Sequence, residues 1–444
     1  MGEFQVYHRG RLHVHLLQTT QFRTRHLSLK ICRPLHRDSV TKSAMIPYLW
    51  MDGTSRLPSP LDIARYSDEL FGALIRTNVG KRGPLQLAEV YASVPEESRA
   101  EEARGVFDDV VKLSLELATD PLRGPSGFST EFVKREKSLH QKRIASQADD
   151  KIAYAMEKCT LHVCRGLPEG LPRLGFEEDI EALTPAELWA AHEQLLKESD
   201  VYLYIVGDIK EPDAMGEQLL EQLERQLPAA SAASATSLGS AAVSKELVRA
   251  IPADGRGDEP EFITERQQVQ QGKLNFGFRT GVSYDDEDYP ALLVANGILG
   301  GFPHSKLFRN VREKESLAYY ASSRLDGLSG IVAIQTGIEP GVAERAQQII
   351  LEQVDAMKQG DVSDEELHLT QGALANQYRQ VMDQPVSRLE IHFSGTLAGI
   401  DRDVETLMKR MHEVSREDVV RASNRLRLDT VYFLSSQEGE THGN

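Results

Sequence analysis

Residues Leu307 to Ser323 read LFRNVREKESLAYYASS. Leu307, Phe308, Val311 and Leu317 are apolar anchors, Arg312 to Glu315 is a dense charge run, and Tyr319 and Tyr320 follow it. A glycine pair, Gly300-Gly301, sits just upstream. Read as one helix, the stretch places Arg312 and Tyr319 about two turns apart and so on one face. The plainer reading is an amphipathic surface helix whose charges are simply solvated.

The setting of this stretch occurs twice. Before it, KLNFGFRTGV (Lys273 to Val282) reads as a strand, and ALLVANGILGG (Ala291 to Gly301) as an apolar helix closed by glycines, a C-cap signal. Upstream, RHLSLKICRPL (Arg25 to Leu35) is the strand and SAMIPYLWMDGT (Ser43 to Thr54) the apolar helix, closed by Gly53. LDIARYSDELFGALI (Leu61 to Ile75) is then the second helix. The parallel continues: LQLAEVYAS leads into a helix with Val106, Val110, Leu113 and Leu117 on one face. IVAIQTGIEP leads into one with Ala346, Ile350, Val354 and Met357 at the same spacing. A polar helix follows in each half, STEFVKREKSLHQKR and SDEELHLTQGALANQYRQ; the latter opens on Ser363 and Glu366 in capping-box positions. Each half ends on a capped helix, opened by Thr184-Pro185 or by Ser415 and Asp418, and then a strand, DVYLYIVGDI or DTVYFLSS.

An internal repeat of this kind, mixing strands and helices without strict alternation, predicts an α+β fold of two homologous α/β sandwich domains. PAASAASATSLGSAA (Pro228 to Ala242) is small, polar and aperiodic, a linker profile, and PADGRGDEP (Pro252 to Pro260) is rich in turn formers. The expected division is 1–227, a linker over 228–261, and 262–444.

Composition excludes several classes. At 444 residues, 40% hydrophobic and 27% charged, the profile is that of an ordinary globular chain. No run approaches the roughly 18 apolar residues of a membrane helix, and the first residues lack the apolar core of a secretory signal. Three cysteines, Cys32, Cys159 and Cys164, make no disulfide framework, which points to a reducing, cytoplasmic setting. A net charge of −16 argues against nucleic acid or an anionic membrane as main partner.

The wording of the opening stretch, G-G followed by S-x-L-F-x-x-V-R-E-K-E-S-L-A-Y, resembles the C-terminal signature of the insulinase/pitrilysin zinc peptidase family. The resemblance runs from about Leu12 to Ser436. It implies paired α/β units that enclose a chamber, with Arg312 and Tyr319 reaching toward a zinc site on the first domain, and Gly300 and Gly301 beside the substrate. Active members carry H-x-x-E-H on the first apolar helix, just before Gly-Thr. That spacing puts two zinc ligands on one helix face and leaves the Glu to activate water. Counting back from Gly53-Thr54, the three positions are Ala44, Pro47 and Tyr48. None fits: Ala has no donor atom, Pro is no base, and Tyr is a poor zinc ligand at neutral pH. A distal Glu on a later helix completes the family's ligand set; Arg143 falls there, with a shift of a few residues left open. No metal ligand of this chain is therefore expected. His13 and His15, alternating in LHVHLL, and Cys159, His162 and Cys164, in C-x-x-H-x-C, are weak substitutes. A polar edge face and a partly buried helix explain them as well. No G-x-S-x-G and no Walker loop is present.

Branches of the family divide labour between a zinc-bearing subunit and a homologue that lacks zinc but supplies the Arg and Tyr. The resemblance implies that this chain is of the second kind, in a bacterial heterodimer. Arg312 would hold a peptide substrate's backbone and Tyr319 would donate to the oxyanion, both acting on zinc bound by the partner. Lys314 and Glu315 would be solvated neighbours and Tyr320 packing. The bacterial branch is associated with the elongation factor P 5-aminopentanol modification pathway. The alternatives are a non-catalytic scaffold, a peptide-binding module that holds an extended peptide on a sheet edge, and an enzyme with an unrecognised site of its own.

Overall fold

Strand β3 (Thr24–Pro34) shows how the first unit is built. Leu27, Leu29 and Ile31 face one side, into a core with Val110, Leu113 and Leu117 of the helix Val106–Thr119. Each such side chain contributes about 1.5–3 kcal/mol by leaving water. His26, Ser28 and Lys30 face the other side, yet they too are buried. Something therefore covers both faces of this sheet.

The computed structural model describes residues 3–96, 105–229, 249–252, 259–400 and 403–436. The expected linker falls largely outside these. In the first unit the remaining strands are β1 (Gln5–Arg9), β2 (Leu12–Gln18), β4 (Leu74–Arg82), β5 (Leu85–Pro95) and β8 (Asp200–Gly207). They form one six-stranded sheet in the order β1-β2-β8-β3-β5-β4; β6 (Arg123–Gly124) and β7 (Gly127–Phe128) make a small ribbon. The second unit has β9 (Glu261–Gln267), β10 (Gly272–Arg279), β11 (Ala318–Asp326), β12 (Ile331–Ile338) and β13 (Arg427–Ser436) in the order β11-β12-β10-β13-β9.

Read from its far edge, the second sheet repeats the first: β9, β13, β10, β12 and β11 stand where β2, β8, β3, β5 and β4 do. The pairings agree as well. β2 with β8 and β9 with β13 are parallel, and all the other counterpart pairs are antiparallel. The repeat is thus real at the level of hydrogen bonds, and the α+β expectation holds. Only β1, antiparallel to β2, has no counterpart among the described strands.

The compact units are not the contiguous halves 1–227 and 262–444. The first consists of Met1–Ala145, Leu171–Leu247 and Asp383–Ser394; the second of Ser146–Gly170, Val248–Met382 and Gly395–Asn444. Each half thus lends a helix to the other's sheet. Helix Lys151–Val163, capped by Asp150, packs on β10 and β13. Gly277 of β10 makes room for it: a Cβ there would lie 2.2 Å from Val163 Cγ2. The start of helix Pro385–Ala398 covers the polar face of the first sheet, with Glu390 on Lys30 and Phe393 against Tyr202.

The exchange gives an expected result for limited proteolysis. The small, polar composition between Leu227 and Phe262 predicts the first nick there. The two fragments should then stay together on size exclusion, because each holds a helix that the other's sheet needs. Fragments that separate and remain folded would sink this reading.

Local signals held where chemistry was explicit. Thr184 with Glu187, and Ser415 with Asp418, form reciprocal capping boxes, and Ser363 with Glu366 makes the same hydrogen bonds. Two helix expectations were too long. Helix Pro60–Glu69 stops before Leu74, which begins β4. The signature helix stops at Lys314, and Tyr319 and Tyr320 lie on β11. Ser316, at φ +52°, breaks the helical path.

Candidate functional site

The positions that the family resemblance assigns to a metal lie together in the first unit. Helix Arg37–Trp50 carries Ala44, fully buried, then Pro47 and Tyr48. On helix Thr130–Ser146, Glu136, His140 and Arg143 recur at spacings of four and three, so they share one face. The Arg143 guanidinium lies 3.7 Å from the centre of the Tyr48 ring. It also makes a two-pronged ion pair with Glu136, one prong at 3.2 Å and the other shorter. Glu136 is 4% exposed; burial pushes its carboxyl up, with Arg143 acting against that. His140 donates from Nε2 to the Leu174 carbonyl at 2.8 Å, and burial pushes it down to about 4, so it is neutral.

This arrangement fits no metal. The Arg143 guanidinium lies against Tyr48 and Glu136, and its charge opposes a divalent cation. Neither Ala44 nor Pro47 offers an electron pair, and burial raises the Tyr48 phenol further from its anionic form. Among the described residues no group of three or more His, Cys, Asp or Glu side chains could hold a metal ion. We expect elemental analysis of the chelator-washed chain to find no stoichiometric zinc. One tightly bound zinc per chain would overturn the assignment of these positions. Sequence reasoning missed Glu136 and His140, though the regular spacing of Glu136, His140 and Arg143 was the available signal.

Beside these residues an open cleft of about 560 Å³ is lined by Tyr48, Asp52, Leu74, Ile75, Arg135 and Arg143, among others. Asp52 is ion-paired with Arg135, and burial pushes its carboxyl up to about 6. β4 forms one wall and is an edge strand of the sheet, with Leu74 53% exposed. Its outer edge offers backbone N–H and C=O groups to an added strand.

The other substitute metal positions have bland explanations. His13 and His15 are not on an edge, because β1 covers β2. Both are buried, stacked on Tyr202 at 4.6 Å and Tyr204 at 4.4 Å. Burial lowers both, His13 to about 4. Cys159 and Cys164 are buried and not joined in a disulfide, and His162 stacks on Tyr432.

The signature residues lie in the second unit. Helix Tyr289–Asn296 runs into a wide π-type turn, Gly297–Gly301, and a second such turn spans Leu307–Lys314. The Glu315 N–H bonds the Asn310 carbonyl five residues back, the π-type pattern. The glycines do not cap by left-handed geometry. Gly300 instead allows a close approach, since a Cβ would meet the Ser323 backbone nitrogen of β11 at 2.5 Å. Gly300 is buried and Gly301 exposed, so Gly301 alone of the pair faces solvent. Leu307 and Val311 anchor the next turn inward and leave Arg312 exposed, its guanidinium 4.5 Å over the Phe308 ring.

Tyr319 is 53% exposed and donates its hydroxyl to Glu339 at 3.2 Å. It sits at a break in the β11–β12 register: Ala318 faces Ile338, Tyr320 faces Gly337, and Tyr319 has no partner. Bulges of this kind re-aim a side chain. The structure therefore presents both Arg312 and Tyr319 to solvent, though not by the shared helix face that their spacing predicts. Tyr320 turns back onto the sheet, half-buried, as a packing residue. Lys314 is exposed, and Glu315 reaches Arg345 at 3.5 Å.

The chain is similar to several known proteins. Residues 182–374 match a family described as "Peptidase M16 inactive domain". The chain is 31% identical over 442 residues to "Probable inactive metalloprotease YmfF" of Bacillus subtilis, covering 99% of each. It is 26% identical over 171 residues to "Uncharacterized zinc protease YmxG" of the same organism, covering 36% of this chain and 41% of that one. Among solved structures, a conserved protein from Enterococcus faecalis V583 superposes with a TM-score of 0.86 at 26% identity, covering 98% of this chain and 99% of that one.

Proposed function

The chain belongs to the M16 (insulinase/pitrilysin) peptidase family, as a homologue of an inactive member, and from that premise we propose that it is the metal-free subunit of a two-chain zinc peptidase. The observation that carries the proposal is a contrast between its two ends. The metal positions are filled by Arg143 paired with Glu136 over Tyr48, while Arg312 and Tyr319 stand exposed and uncommitted to the core. A chain that had lost both chemistry and partner would have no need to hold a phenol out on a bulge.

Peptide hydrolysis on zinc builds negative charge on the scissile carbonyl oxygen, and fixed donors near that oxygen lower the barrier. Arg312 binds the substrate backbone through its planar fork of donors. Tyr319 donates its hydroxyl proton to the developing oxyanion. Both would act in trans, beside zinc that a homologous subunit would hold, with the peptide in a chamber enclosed by the two chains. Membership of the elongation factor P 5-aminopentanol pathway is carried over from family resemblance alone.

Co-expression with a zinc-bearing relative tests this reading. Peptidase activity should appear only in the assembled pair and vanish on chelation. A pair that assembles yet cleaves no faster than the zinc subunit alone would refute it. A second reading, capture of an extended peptide without cleavage, is favoured by the open edge of β4 beside the cleft.

A further inference from the structure

Tyr319 is fixed in place by its neighbours on both strands. Tyr320, next along β11, lies across Gly337 of β12, where a Cβ would come within 2.3 Å of its Cε1 atom. The Tyr320 hydroxyl is buried, so that residue does not follow Tyr319 outward. Glu339 follows Ile338, the residue opposite Ala318, so it stands one step past the bulge, on the diagonal from Tyr319. Its backbone is extended, φ −73° and ψ 137°, as expected for a residue held ahead of Pro340. Both partners of the Tyr319–Glu339 hydrogen bond are thus set by the backbone, while both side chains remain in water.

A phenol has one proton to give, and a carboxylate can only accept. A Tyr319 that donates to Glu339 therefore shows an approaching oxyanion only lone pairs. We propose that Glu339 is a positioning residue that holds the Tyr319 hydroxyl in reserve, aiming it but occupying its proton until substrate exchanges the bond. The inference rests on the reading of Tyr319 as the donor to the oxyanion. An exposed hydrogen bond of 3.2 Å suits such a role, since it orients the ring yet is cheap to exchange. The bond also raises the phenol above its ordinary value of 10.0, Glu339 being the main cause.

Two measurements with Glu339→Gln test the proposal. The first uses the chain alone, with ring-labelled tyrosine followed by NMR titration and Tyr319 assigned through Tyr319→Phe. The glutamine should bring the Tyr319 phenol back toward 10.0. A titration identical to wild type means that the contact is not made, and overturns the proposal whatever the activity. The second uses the zinc-bearing pair. The amide can donate to the phenol oxygen and leave the Tyr319 proton free, so kcat should rise about 2- to 10-fold, the weight of one exposed hydrogen bond, with KM unchanged. If kcat is unchanged or falls while Tyr319→Phe abolishes activity, the reserve role is wrong and the donor role stands. If Tyr319→Phe leaves the rate intact, the donor role fails and the reserve role fails with it.

Discussion

In the assembled pair, Tyr319→Phe lowers the peptidase rate by roughly 10- to 1,000-fold, the scale of losing one oxyanion donor. Folding and assembly should barely change, since a substitution at an exposed site usually costs within about 0.5 kcal/mol. The ring keeps its place and only the bond to Glu339 is lost from the folded chain. Arg312→Ala should produce a loss on the same scale, although it also removes the stack on Phe308. KM for longer peptides should rise more with Arg312→Ala, because a backbone anchor is used in the ground state as well as in the transition state. Circular dichroism and size exclusion establish that each variant folds and pairs; steady-state rates with a zinc-bearing partner give the result. A scaffold predicts the opposite ordering, with rates unchanged and any loss confined to stability. If the pair cleaves equally well with Phe at 319 and Ala at 312, the signature records ancestry and not present chemistry.

The sequence reading reached the repeat because each half spells the same order of strand, apolar helix and capped helix. The capping boxes were legible because Ser or Thr with an acidic residue three positions later satisfies specific backbone donors. The helix through Tyr319 was misread for an equally physical reason. Helical spacing of Leu307 and Val311 continues formally to the end of the charge run, and only the conformation of Ser316 and the pairing of β11 with β12 show where it stops. Short apolar runs are ambiguous between the two periods, and pairing partners decide them. The exchange of helices was out of reach for a different reason. Lys151–Val163 and Pro385–Ala398 are each amphipathic enough to be helical, but nothing local says which sheet an apolar stripe will meet. At the positions the resemblance assigns to the metal, the count from Gly53-Thr54 was enough to name Ala44, Pro47 and Tyr48. That Arg143 would fold over Tyr48 and pair with Glu136 required the third dimension.

Lys30 gives the largest expected effect on stability. Its side chain is 3% exposed on β3, and its ammonium lies 2.6 Å from Glu89 of β5 and 2.8 Å from Glu390 of the exchanged helix. Glu390 is also bound by Arg82 at 2.7 Å. The cluster therefore ties the borrowed helix to the sheet. Lys30→Met should destabilise the first unit by about 3–5 kcal/mol, because it takes the shared ammonium from two largely buried carboxylates and leaves only Arg82 on Glu390. Lys30→Met with Glu390→Leu should recover part of that loss, since an apolar pair needs no compensation. The acid dependence has a defined sign. Burial pushes the Glu390 carboxyl up, but Lys30 and Arg82 outweigh it and the net shift is downward. Its stabilising contribution is therefore present above the ordinary carboxylate range and is lost as pH falls through its lowered folded value. Burial pushes the Lys30 ammonium down, but Glu89 and Glu390 outweigh that and hold it above 10.5. Its contribution is full below 10.5 and is lost only as pH rises past the folded value. The gap between wild type and Lys30→Met should thus be wide at neutral pH and narrow well below about pH 4, where carboxylates are protonated. Trp50 and Trp189 are the two tryptophans of the chain and both belong to the first unit, so indole fluorescence in urea reports on that unit. Equal midpoints for Lys30→Met and wild type at neutral pH, or a deficit that does not shrink in acid, would show that the buried cluster does not hold the borrowed helix.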